Sequence, residues 1–209
     1  MRLPIPTPPA NELALITGAT LLNGTIAGAL VLLAGSDSSG TELALRTTAR
    51  LSFAWFMLAF IASPLQQLRL SRASAWLLSR RRAFGVIFGF SMAIHVGFIL
   101  RLFVLHAPSR PPMVTDADFF IGIPGLILVA LLTITSVDAL QRRLSPIAWQ
   151  RLHTAGIWVV WAIFFLCLID SVGRKNTEHP VLAYYTFIAV LLAGMGLRLT
   201  AAWARRRHK

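Results

Sequence analysis

Long apolar runs alternate with short stretches rich in arginine along the whole chain. Six of these runs are about 20 residues long, which is the length that an α-helix needs to cross a bilayer. The pattern predicts six membrane-spanning helices, over residues 13–34, 43–62, 83–106, 119–139, 148–169 and 181–203. We find no repeat and no soluble domain, so we expect an all-α membrane bundle forming a single domain over residues 1–209.

Two shorter patterns add detail to this prediction. Pro124 stands between Gly122 and Gly125 near the start of the fourth run, which predicts a kink in its first turns. Residues 68–78, which include Trp76, predict a short amphipathic helix along the membrane interface.

The composition supports membrane insertion. Of the 209 residues, 56% are hydrophobic and only 13% are charged, which is typical of a polytopic membrane protein. The formal net charge of +12 does not indicate nucleic-acid binding, because the basic residues cluster in short loops between apolar runs. The single cysteine, Cys167, excludes an internal disulfide, and the absence of a CxxCH motif excludes covalent c-type haem. We expect the first run to be a retained helix rather than a cleaved signal peptide.

The distribution of Lys and Arg predicts the orientation. Thirteen of the 20 basic residues fall at the N-terminus, between the second and third runs, between the fourth and fifth runs, and at the C-terminus. The opposite loops contain most of the acidic residues. Both termini should therefore face the cytoplasm.

Three arginines lie toward the outer ends of predicted spans. Arg46 and Arg50 are one turn apart on the second span, and Arg101 is on the third. Glu42 is four residues before Arg46, so the two can form an ion pair along the helix. The alternative is that these arginines bind an anionic or polar cofactor group, such as a haem propionate or a quinone oxygen. A fourth, Arg198, is near a cytoplasmic end and can extend to the interface.

Two histidines are candidate metal ligands. His95 lies ~20 Å from the cytoplasmic boundary and His153 ~8 Å from it, at the helical rise per residue. Neutral imidazoles on facing helices can hold a b-type haem. The depth difference disfavours one iron between them. The alternatives are a hydrogen bond from His95 to a neighbouring helix and an interfacial role for His153. The other three histidines are predicted to be solvated or interfacial: His106, His179 and His208.

Several stretches resemble one family. Thr48–Leu65, Arg81–His95, Ile134–Ser136 and Trp149–His153 resemble, in this order, motifs of the ferric-reductase-like transmembrane domain, in its MsrQ/YedZ branch. Together with the six predicted helices, the resemblance covers nearly the whole chain.

The resemblance implies a b-haem protein of the bacterial inner (plasma) membrane. It implies that His95 and His153 are haem ligands. The candidates for binding the cofactor's anionic groups are then Arg46, Arg50 and Arg101. Family members of this kind receive electrons from cytoplasmic flavins and serve a periplasmic methionine sulfoxide reductase. A cytoplasmic flavoprotein, a quinone and a periplasmic reductase are therefore the expected donors and partners, besides membrane lipid.

One departure from the family pattern keeps a second function open. A further family histidine is expected about thirteen residues after His153, where this chain has Leu166. Because leucine cannot ligate iron, the alternative is a haem-free structural or assembly subunit of a larger membrane complex. The chain also lacks a nucleotide-binding motif, so at most it is the electron-transfer subunit of an oxidoreductase. A small transporter ranks last, because paired broken helices and intramembrane acids are missing.

Overall fold

The computed structural model describes residues 11–35, 38–105, 116–173 and 181–207, and every regular element in them is an α-helix. The eight helices in chain order are α1 (Glu12–Ala34), α2 (Ser38–Leu68), α3 (Arg72–Ser79), α4 (Arg81–Leu105), α5 (Asp116–Ile134), α6 (Asp138–Gln141), α7 (Pro146–Gly173) and α8 (Val181–Arg207). The predicted all-α architecture is thus confirmed.

Five of these helices, α1, α2, α4, α7 and α8, are long and apolar enough to cross a membrane. The remaining predicted span, the fourth, at residues 119–139, corresponds to α5, in which the stretch Gly122–Ile134 is apolar. This helix ends before residue 139 because the N–H groups of Ser136 and Val137 turn back to the carbonyls of Thr133 and Ile134. Several charged residues used to predict the orientation lie outside the described residues: Arg2, Asp37, Arg110, Arg174, Lys175, Glu178 and Lys209.

The antiparallel pair α2 and α4 forms the centre of the bundle. Helix α1 packs on both, α8 packs on α2, and α7 lies against α5 and α8. The main core is aromatic and lies where α2, α4 and α7 converge: Phe53, Phe56 and Phe60 meet Phe88 and Phe164. These rings form the packed middle of the bundle.

Helix α2 is longer than predicted, because it continues through Pro64 to Leu68. Proline has no N–H, so the carbonyl four residues earlier, that of Phe60, loses its helical partner. Arg198 of α8 replaces that partner: its Nε donates to the Phe60 oxygen at 3.0 Å, and its guanidinium lies 4.3 Å from the Phe60 ring centroid. Arg198 therefore links α8 to α2 instead of only extending toward the interface.

The predicted amphipathic segment forms helix α3. Ser71 and Ser74 form a capping box at its start, and Ser74 also donates to Gln66 at the end of α2. Trp76 is half exposed and lies against the guanidinium of Arg80. These contacts fix the turn between α2 and α4.

Helices α4 and α5 approach closely at Gly89. A Cβ at this position would overlap the side chain of Thr133, whose hydroxyl is held by a 2.8 Å hydrogen bond to the Val129 carbonyl. A Cβ built on Gly97, two turns further along α4, would have no atom within 4 Å. The two glycines therefore provide a matched test of the packing.

We expect Gly89→Ala to lower the free energy of unfolding by about 1–3 kcal/mol, because the new methyl group cannot be accommodated without moving α5. Gly97→Ala should be neutral or stabilising by up to ~1 kcal/mol, since alanine is the better helix former. Unfolding in mixed detergent–SDS micelles, followed by circular dichroism, measures both. Equal stability of the two variants would contradict the described α4–α5 contact.

Candidate functional site

A line of polar contacts joins α2 to α4 inside the bundle. From one end to the other the three hydrogen bonds are Arg101 Nε to Thr41 Oγ1 at 3.2 Å, Thr48 Oγ1 with His95 Nδ1 at 3.0 Å, and Ser52 Oγ to Ser91 Oγ at 2.9 Å. We call these six residues the polar seam. It contains two of the residues that the sequence singled out, His95 and Arg101.

The geometry around Thr48 favours one tautomer of His95. The Thr48 hydroxyl lies 2.9 Å from the carbonyls of both Ala44 and Leu45, and a carbonyl can only accept. These carbonyls compete for its one proton, which favours a proton on His95 Nδ1 for the contact with the imidazole. In that tautomer Nε2 carries the lone pair.

His153 is arranged in the opposite way. The Thr135 hydroxyl donates to the Leu131 carbonyl at 2.6 Å, so at 3.1 Å it accepts from His153 Nε2. The imidazole also stacks on Trp149 at a centroid distance of 4.3 Å, and the indole N–H of Trp149 donates to the Thr135 carbonyl at 3.0 Å. Nε2 of His153 is thus occupied by this hydrogen bond, which connects α7 to the residue that follows α5.

A cleft of about 1610 Å³ opens at one end of the bundle, where α4 and α7 begin and α2 and α8 end. His153 lines it, whereas His95 lies in the polar seam. We call it the arginine cleft, after the five arginines along its wall: Arg81, Arg82, Arg142, Arg198 and Arg205. The structure therefore places the two candidate ligands in different surroundings.

These surroundings decide how well the residues fit a haem iron. A ligating imidazole commonly donates from one ring nitrogen to the protein and binds metal through the other, and His95 has this arrangement. His153 would have to leave Thr135 before its Nε2 could bind iron. The described residues contain no group of three or more His, Cys, Asp or Glu side chains suited to a metal ion. His95 could therefore hold a haem iron without breaking its bond to Thr48, whereas His153 could do so only after rearrangement.

Comparison with known proteins identifies the family. Residues 48–167, more than half of the chain, match the family model described as ferric reductase like transmembrane component. The chain belongs to the ferric reductase-like transmembrane family. Its five candidate spans agree with a multi-pass membrane protein of this kind.

Two curated relatives carry the same name, protein-methionine-sulfoxide reductase heme-binding subunit MsrQ. The protein from Ralstonia nicotianae is 26% identical over 86% of this chain and 82% of its own length. The protein from Herminiimonas arsenicoxydans is 27% identical over 96% of this chain and 91% of its own length. The similarity covers most of each protein and supports the MsrQ/YedZ branch of the ferric reductase-like family. No solved structure matches the chain.

The three candidate arginines on α2 and α4 have different surroundings. Arg46 forms the ion pair with Glu42 that was one of its two predicted alternatives, at 3.2 Å. Arg101 bonds to Thr41, and Arg50 is exposed on the surface of α2. The ion pair supports a structural role for Arg46, whereas the exposed Arg50 can still bind a group outside the bundle.

The remaining predicted positions are Leu166 and three histidines. Leu166 is 52% exposed on α7, so it faces away from the packed interior. His106, His179 and His208 lie outside the described residues.

The sequence analysis missed the hydroxyl partners of the two histidines. Thr48 and Ser52 are four residues apart on α2, and Ser91 and His95 are four apart on α4. This spacing puts each pair on one helix face, so two facing polar pairs were a readable signal. Thr135 follows the end of α5, and no periodic pattern pointed to it.

We expect the two histidines to be opposite tautomers. In apoprotein labelled with ¹⁵N-histidine, NMR should find the proton on Nδ1 in His95 and on Nε2 in His153. Thr48→Val should remove this preference at His95 only, and Thr135→Val at His153 only, because each variant deletes one acceptor. A proton on Nε2 of His95 in the unmodified protein would refute the assignment.

Proposed function

We propose that this protein is a b-type haem subunit of the bacterial inner membrane. Its role is to accept electrons from a cytoplasmic flavoprotein and deliver them to a periplasmic reductase. Family membership and the heme-binding MsrQ relatives support this role. The observation that carries the proposal is the arrangement of His95, whose Nδ1 is held by Thr48 while its Nε2 lone pair is available.

His95 is the proposed axial ligand, and Thr48 is its positioning residue. The hydrogen bond from Nδ1 orients the ring, selects the tautomer and raises the electron density on Nε2. Once bound, haem iron supplies reversible one-electron chemistry. The buried Ser52–Ser91 bond one turn away keeps α2 and α4 together at the level of the ligand.

His153 would be the second residue that holds the haem iron. Its use requires the ring to exchange the Thr135 hydroxyl for iron, since both need the same nitrogen. Leu166 cannot supply the alternative ligand.

The outer arginines are proposed to offset negative charge on the cofactor. Arg50 and Arg101 suit this role because a guanidinium offers several fixed donors to a carboxylate or to a quinone oxygen. Arg46 is already paired with Glu42, and its contribution would be shared with that carboxylate.

The proposed topology has six spans, including α5, and both termini in the cytoplasm. Glu12 at the start of α1 and Arg205 near the end of α8 line the same cleft, which supports an even number of crossings. The Arg-rich end of the bundle would then face the cytoplasm. An acidic flavoprotein would be attracted to that end.

A haem-free role as a structural or assembly subunit is the second candidate. It is favoured by the leucine at position 166 and by the occupied Nε2 of His153. In this case the aromatic core and the polar seam would serve only to pack the helices together.

Absorption spectra of the purified protein separate the two functions. We expect a Soret band and, after dithionite reduction, an α band in the unmodified protein. His95→Ala should abolish both, because the iron loses its only prepared ligand, whereas Ser91→Ala in the same seam should retain them. A pyridine hemochrome assay gives the haem content of each sample. An unmodified protein without an α band would favour the haem-free subunit.

His153→Ala tests the second ligand in the same experiment. A changed α band with the Soret band retained is expected if His153 completes the coordination. Spectra identical to those of the unmodified protein would exclude His153 as a ligand and leave His95 as the single axial histidine.

A further inference from the structure

The arginine cleft has a charged rim and an apolar floor. Phe56, Phe60, Phe88, Val129 and Val160 from the aromatic core line its inner part. Its volume of about 1610 Å³ exceeds the ~300–1,000 Å³ typical of a small-molecule pocket. The space is therefore suited to a ligand with a polar head and a long apolar portion.

The rim carries more positive than negative charge. Five arginines and two carboxylates, Glu12 and Asp138, line the cleft. Asp138 is already engaged, because its Oδ1 lies 2.7 Å from Arg82 Nη1. Three positive charges of the rim therefore have no balancing carboxylate in the cleft lining.

Two guanidinium groups are central to this excess. Arg81 is half-buried, and no described carboxylate pairs with it. Arg198 lines the cleft and donates from Nε to the Phe60 carbonyl, and none of the described hydrogen bonds uses its terminal nitrogens. Arg81 and Arg205 line the same cleft as Arg198, so three like charges share this end of the bundle. An anion bound among them would offset their mutual repulsion.

We propose that the arginine cleft binds the phosphate head group of an anionic phospholipid, with the acyl chains lying on its apolar floor. Guanidinium groups bind phosphate oxygens through paired charge-assisted hydrogen bonds. Basic pockets between membrane helices are suited to such head groups when they open at the bilayer surface. The starting Arg81 of α4 and the terminal arginines of α8 place this cleft at such a level. This site goes beyond the proposed redox function. Because His153 lines the same cleft, the lipid site is proposed for the form in which the His153 ring stays bonded to Thr135.

Native mass spectrometry of the full chain in detergent tests the site. The delipidated protein is titrated with phosphatidylglycerol or with phosphatidylcholine of the same acyl chains. We expect one phosphatidylglycerol to bind preferentially. Arg81→Gln combined with Arg205→Gln should weaken that binding about tenfold or more, because two of the head-group contacts are lost.

The matched control removes the same charge outside the cleft. Arg80→Gln combined with Arg206→Gln should leave the lipid preference unchanged, since neither residue lines the cleft. Arg81→Lys combined with Arg205→Lys keeps the charge and should retain most of the binding, which distinguishes lost contacts from misfolding. Equal binding of the two lipids, or equal losses in the cleft and control variants, would overturn the proposal.

Two further arms identify the source of the anion. Inorganic phosphate alone should not displace the lipid at millimolar concentration, and displacement would indicate a site for free phosphate instead. The haem content of the cleft variant should equal that of the control. If the cleft variant lost haem while its lipid binding was unchanged, the arginines would bind a cofactor carboxylate instead. This result would overturn the lipid site and leave the redox proposal intact.

Discussion

Hydrogen bonds between polar side chains of α2 and α4 hold the centre of this bundle in register. The four hydroxyl side chains of the seam are almost completely buried, so hydrogen bonds within the protein replace bonds to water. Each α2 residue of the seam pairs with one α4 residue at the matching antiparallel height. A shift of either helix by one turn would separate all three pairs together. The same contacts that fix the register also orient the imidazole of His95.

The backbone follows the same rule at Pro64. A proline inside a membrane helix exposes a carbonyl, and here a guanidinium from a distant helix satisfies it. The contact between Arg198 and Phe60 thereby binds α8 to α2 and leaves part of the cation's hydrogen-bonding capacity unused. Satisfying one backbone group has thus placed a positive charge at the edge of a cleft.

Much of the fold could be predicted from apolar run length, because the bilayer imposes that length on every spanning helix. The ends were less predictable: α2 passes Pro64 because of Arg198, a residue far away in sequence. The site was predicted only in part. His95 stood out as a titratable group in an apolar run, but its bond to Thr48 depends on how two helices face each other. For His153, the decisive partner Thr135 follows a helix end, where sequence periodicity no longer applies.

The length of α2 has a consequence for the depth of the site. Its 31 residues extend ~46 Å, while the hydrocarbon core is only ~30 Å thick. Tilting alone would require nearly 50°, beyond the usual range of up to ~40°. Part of the helix must therefore emerge from the hydrocarbon, and its polar N-terminal part, from Ser39 to Arg50, is suited to water and head groups. Since His95 pairs with Thr48, its imidazole lies at the level of this part, toward a surface of the bilayer and away from its midplane.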